Sequence, residues 1–152
     1  MKDERHGTPF TKLCMSDQSE MVSDFVDFLQ EHQRADDLNT VRIAEGRTAL
    51  YVAATFGRLQ TVTRLLDAGA DHRLARTYGH SPLFIASHEG NTAVVLLLTE
   101  KGANVNQARN DGATPLFIAC WKGHANTKLF CIKCFTPLIK LSPLNYVLIY
   151  AG

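Results

Sequence analysis

The residues from Gly79 to Asp111 read GHSPLFIASHEGNTAVVLLLTEKGANVNQARND. Shifted back by their own length of 33, they fall on GRTALYVAATFGRLQTVTRLLDAGADHRLARTY, Gly46 to Tyr78. Gly46/Gly79, Leu50/Leu83, Ala53/Ala86, Gly57/Gly90, Val62/Val95, Leu65/Leu98, Gly69/Gly102 and Ala70/Ala103 coincide. Shifted forward, they fall on GATPLFIACWKGH, Gly112 to His124, where Gly, Pro, Leu, Ala and Gly recur in register. Self-similarity at a fixed period of this length is the mark of stacked repeats.

Each recurring residue has a local reason. Thr48, Ser81 and Thr114 are good helix N-caps. Pro82 and Pro115 follow at the first helical position, where a missing N–H costs nothing. Leu50, Ala53 and Ala54, and likewise Leu83, Ala86 and Ser87, then share one side of a short helix that Gly57, Gly90 and Gly123 end. A second apolar helix is predicted on Val62, Leu65 and Leu66, and on Val94, Val95, Leu97 and Leu98, ended by Gly69 and Gly102. The rest of each copy is polar and turn-rich. Such a unit cannot bury its apolar face alone, so copies must stack. The fold class expected is an all-α repeat solenoid of helix-turn-helix units joined by β-hairpin-like loops.

The pattern resembles the ankyrin repeat family. The resemblance rests on Thr114-Pro115-Leu116, Ser81-Pro82-Leu83, Gly69-Ala70-Asp71, Gly102 to Asn106 and Asn110-Asp111-Gly112. That family usually places His after Thr-Pro-Leu. Here Tyr51, Phe84 and Phe117 stand there, which implies aromatic packing in place of the usual hydrogen-bonded arrangement. The resemblance implies a protein that binds other proteins through its hairpin tips and the exposed face of each first helix. By position the tips are Ala44, Glu45 and Arg47; Thr77, Tyr78 and His80; and Asn110, Asp111 and Ala113. The pairs before each helix-ending glycine are Thr55-Phe56, His88-Glu89 and Trp121-Lys122. These pairs vary while the frame around them repeats. The candidate partner-binding residues are Arg47, Thr55, Phe56, Tyr78, His80, His88, Glu89, Asp111, Trp121 and Lys122.

The repeat accounts for residues 45–126, as copies 46–78 and 79–111 and a partial copy 112–126. Residues 1–15 are expected to be disordered. Residues 16–44 hold an amphipathic stripe of Met21, Val22, Phe25, Phe28 and Leu29, read as a capping helix or a degenerate repeat. Residues 127–152 form an apolar tail outside the repeat, read as an irregular cap or as a truncated or alternative end. Lys133 and Lys140 would each cost about 2.5–3.5 kcal/mol near a bilayer centre, so no membrane span is expected there.

The chain has 152 residues, a net charge of +1 and no basic run, which argues against a nucleic-acid partner. Four cysteines without a secretory leader point to a reducing compartment, the cytoplasm or the nucleus. A monomer without a cofactor is expected. Cys120 and His124 stand four apart, but Gly123 interrupts any shared helix and no third group is placed to orient them. By register Cys120 falls with Ala54 and Ser87 at a small-residue helix contact. Cys131-Ile132-Lys133-Cys134, with Cys120 and His124, offers an alternative zinc- or redox-responsive reading, although the spacing fits no common zinc motif. Phosphate-binding, metalloprotease and nucleophile-elbow motifs are missing from the sequence, so no enzyme is expected.

Overall fold

A computed structural model describes residues 37–40, 42–43 and 46–127. The chain enters through a short helix α1 (Asp37–Thr40) and strands β1 (Arg42–Ile43) and β2 (Arg47–Thr48). The strands pair antiparallel, with Arg42 opposite Thr48 and Ile43 opposite Arg47. Two helix pairs follow, α2 (Ala49–Thr55) with α3 (Leu59–Asp67) and α4 (Pro82–Glu89) with α5 (Thr92–Glu100). A third copy opens with α6 (Pro115–Trp121), and residues 125–127 are again helical. The first helices stack side by side, α2 on α4 and α4 on α6, with α3 and α5 behind them.

The caps form as the sequence predicts. The hydroxyls of Thr48, Ser81 and Thr114 accept the N–H of Tyr51, Phe84 and Phe117 at 3.2, 3.1 and 3.2 Å. Gly57, Gly90 and Gly123 each donate back to the carbonyl three residues earlier, and the residue after each glycine reaches five residues back. The apolar faces meet in one core of Leu50, Val62, Leu65, Leu83, Val94, Val95 and Leu98, with Ala53 and Ala86 fully buried where the first helices touch. Leu38 of α1 is buried in the same core. Asn39 beside it accepts from the Asp71 N–H at 2.8 Å, which ties α1 to the turn after α3.

Copies are also joined by side chains reaching backward. Asn91 donates to the carbonyls of Ala54 and Thr55 at 2.9 and 3.0 Å. His124, one period later, donates from Nε2 to the carbonyl of His88 at 2.9 Å. Both serve carbonyls at the C-terminal end of the preceding first helix, where acceptors lack intrahelical donors. The approach is close. A Cβ on Gly57 would lie 2.7 Å from Asn91 Oδ1, and one on Gly90 2.6 Å from His124 Nδ1. Glycine is needed there twice over, for the left-handed φ of 67° and 75° and for the space.

One expectation is corrected. Cys120 shares its register with Ala54 and Ser87, both fully buried, yet Cys120 is exposed. The following first helix that covers Ala54 and Ser87 has no counterpart over α6 among the described residues. Several expectations lie outside the described residues: the disorder of 1–15, the helix with Met21 to Leu29, the tail beyond Thr127, and Cys14, Cys131 and Cys134.

Gly90→Ala is expected to lower stability more than Gly102→Ala, because Gly102 has φ 87° but nothing within 4 Å of its Cβ position. Thermal melts of both variants in wild-type and His124→Ala backgrounds check this. The excess cost of Gly90→Ala, on the order of 1–3 kcal/mol, should vanish once His124 is removed.

Candidate partner-binding surface

The pairs before the helix-ending glycines lie at equivalent places on α2, α4 and α6. Phe56 is 48 % exposed and Trp121 72 %, while Glu89 and Lys122 are also exposed. Thr55 and His88 are half-buried. The Thr55 hydroxyl donates to the Tyr51 carbonyl at 2.9 Å, and His88 Nδ1 lies 2.7 Å from Glu89 Oε1. Trp121 meets Phe117 edge-on, with ring centroids 5.7 Å apart. Across the stack the surface passes from an aromatic at Phe56 to an acid at Glu89 to a base at Lys122.

The hairpin tips form a second line. The Arg76 N–H bonds the His80 carbonyl at 3.1 Å and the Arg109 N–H that of Ala113 at 2.8 Å, closing two tips of the same shape. The Asn110 N–H bonds the Tyr78 carbonyl at 3.1 Å, joining one tip to the next. Tyr78 is 63 % exposed and holds φ 73°, among the described residues the one positive value outside glycine. Left-handed backbone costs a residue with a Cβ about 1–2 kcal/mol. Tyr78, His80, Arg109, Asn110 and Asp111 line a cavity of about 290 Å³.

These tip residues differ in how free they are. Asp111 accepts from the Arg109 guanidinium and from the Ala113 N–H, which hold its carboxyl well below the usual range. His80 is half-buried, edge-on to the Phe84 ring at 5.1 Å. Burial, then the positive Arg76 nearby, lowers its pKa from 6.5. Arg47 is half-buried in β2. Tyr78 is therefore the tip residue best placed to be touched, and Arg47 and His80 belong partly to the frame.

The aromatic position of the first two copies carries a feature that identity of residues alone does not reveal. Arg76 lies over the Tyr51 ring, 5.6 Å from its centroid, and Arg109 over the Phe84 ring at 5.5 Å. Tyr51 and Phe84 are buried, and each is roofed by a guanidinium from the loop 25 residues on. The signal was present, since Arg76 and Arg109 are themselves identical one period apart. Such contacts contribute about 0.5–2 kcal/mol each, depending on exposure.

Of the proposed zinc ligands, His124 is committed through Nε2 to the His88 carbonyl, and Cys120 faces outward from α6. Among the described residues, no three His, Cys, Asp or Glu side chains are grouped to hold a metal. No helix among them is long and apolar enough to cross a membrane.

Two family models match this chain. One described as ankyrin repeats, three copies, covers residues 68–134, and one described as an ankyrin repeat covers residues 45–77. Together they span residues 45–134, more than half of the 152. No curated protein matches the chain.

The lowered pKa of His80 sets a pH dependence. Its neutral form is the one the fold favours, so the full contribution is present above pH 6.5 and is lost as pH falls through the lowered folded value. Melting temperature is expected to drop between pH 7 and 5, and His80→Gln should flatten that slope. Circular-dichroism melts at several pH values check the difference.

Proposed function

The chain belongs to the ankyrin repeat family, and we propose that it is a non-enzymatic adaptor or scaffold module that grips a protein partner. Ankyrin repeats are generally protein–protein interaction modules. The finer reading places the contact on Thr55-Phe56, His88-Glu89 and Trp121-Lys122, extended to the tips at Tyr78 and Asp111. Arg47 and His80 contribute at its edge. We place the protein in the cytoplasm or nucleus, acting as a monomer.

The observation that carries this reading is the exposure of Phe56 and Trp121 at 48 % and 72 % on an otherwise constant frame. Large aromatics dominate binding hot spots because they bury much area with little loss of side-chain freedom. Tyr78 adds to it, because backbone strain persists where something other than stability holds the residue.

Affinity capture with Phe56→Ala and Trp121→Ala is the test. Both are expected to weaken partner binding by about tenfold or more, as hot-spot truncations do, while the melting temperature changes little. Normal binding with a depressed melting point in both variants would reject the surface. Tyr78→Gly separates strain from recognition: it is expected to raise stability by about 1 kcal/mol and to weaken capture. Unchanged capture would remove Tyr78 from the contact.

A further inference from the structure

The residue just before each helix-ending glycine makes a row across the three first helices. Phe56, Glu89 and Lys122 stand 33 residues apart and all three are exposed. The row runs aromatic, acidic, basic. Its two charges are not spent on each other. Glu89 meets His88 through Oε1, and among the described residues its second oxygen has no partner. Among the same residues Lys122 enters no ion pair. Trp121 stands beside Lys122 at the end of the row, exposed and edge-on to Phe117.

The spacing of the row selects the shape of what lies on it. Helices α2, α4 and α6 pack in that order, and packed helices stand about 8–10 Å apart. A ligand must bring one side chain to each copy at that step. A β-strand does not, because side chains on one of its faces recur at about 6.6 Å or about 13 Å. A polyproline II helix has three residues per turn, so every third side chain faces the same way at about 9.3 Å. An α-helix comes near only with every seventh residue, at about 10.5 Å, and needs about fifteen residues to meet three copies. Seven residues of polyproline II suffice. Its prolines also suit exposed aromatic surface of the kind Phe56 and Trp121 offer.

We propose that this row takes a polyproline II segment of a protein partner, with an apolar, a basic and an acidic residue at every third place. They lie on Phe56, Glu89 and Lys122 in that order. The inference rests on the binding surface proposed above and adds the chemistry of its occupant. The apolar side chain covers the Phe56 ring, the base pairs with the second oxygen of Glu89, and the acid pairs with the Lys122 ammonium. A segment with the two charges exchanged would meet like charge at both places, so the order carries the selectivity. A polyproline II segment is largely ordered before it binds, which lowers the entropy cost of a contact only seven residues long.

The test is a titration of the isotope-labelled full chain with synthetic peptides, followed by amide chemical shifts. Leu-Pro-Pro-Arg-Pro-Pro-Glu and its reverse carry the matched order in the two chain directions. Leu-Pro-Pro-Glu-Pro-Pro-Arg and its reverse carry the exchanged order. One matched peptide is expected to bind about fivefold tighter than either exchanged peptide at low salt, with shifts centred on Phe56, Glu89 and Lys122. Salt of about 0.5 M should erase most of that preference. The double variant Glu89→Lys with Lys122→Glu should reverse it. Equal binding of matched and exchanged peptides to the wild-type chain, or no shifts with any of them, would overturn the proposal without needing a variant to fold. Tighter binding of a helical peptide with the same residues at every seventh place would overturn it as well. If Phe56→Ala and Trp121→Ala still weaken partner capture in that event, the surface stands and only the chemistry assigned to its occupant fails.

Discussion

The stack depends on a problem that each copy leaves to the next. The first helices have seven or eight residues, too few to be stable in water by themselves. Their last carbonyls lack the regular helical donor four residues on. Asn91 supplies donors to Ala54 and Thr55, and His124 supplies one to His88, so a helix of one copy is completed by a side chain of its successor. The glycines at 57 and 90 follow from this, because any Cβ there would collide with the arriving side chain. Apolar burial supplies the larger energy, and these polar contacts fix the register in which that burial occurs.

The same logic governs the aromatic positions. Tyr51 and Phe84 sit at the third helical residue, their N–H groups bonded to the capping hydroxyl and their rings pressed into the stack. A guanidinium from the following hairpin lies over each ring. This couples hairpin to helix by cation–π and dispersion contact, where the family usually employs a histidine. Frame contacts occupy the backbone, the caps and the arginines, and of the residues just before each glycine Phe56, Glu89, Trp121 and Lys122 stay exposed. There the copies diverge to Thr-Phe, His-Glu and Trp-Lys.

Much of this was legible from the chain itself. Caps, helix-ending glycines and apolar stripes depend on local chemistry, so Thr48, Ser81, Thr114, Gly57, Gly90 and Gly123 were read directly. Contacts between copies were harder. Asn91 and His124 share a task but not a residue type, and an alignment of identities cannot pair them. Arg76 and Arg109 are identical, yet nothing in their spacing says that a ring lies beneath them. Cys120 was misread because register assumes a neighbour on each side, and its neighbour is not among the described residues. The left-handed backbone of Tyr78 was invisible, since tyrosine gives no hint of positive φ. The proposed contact residues follow from the family's binding positions set onto this chain by register, and their geometry separates the exposed Phe56 and Trp121 from the engaged His80 and Asp111.

Copies one and two cannot open separately, because copy two lends donors to copy one and the two share one core. Native-state hydrogen exchange of the buried Val62 and Val95 amides, bonded to Arg58 and Asn91 carbonyls at 2.9 and 3.0 Å, tests this directly. The account predicts one shared opening free energy for the two amides, equal to that of global unfolding, and a parallel fall in both when Asn91 is replaced by Ala. Exchange of Val62 through an opening that leaves Val95 protected would contradict it.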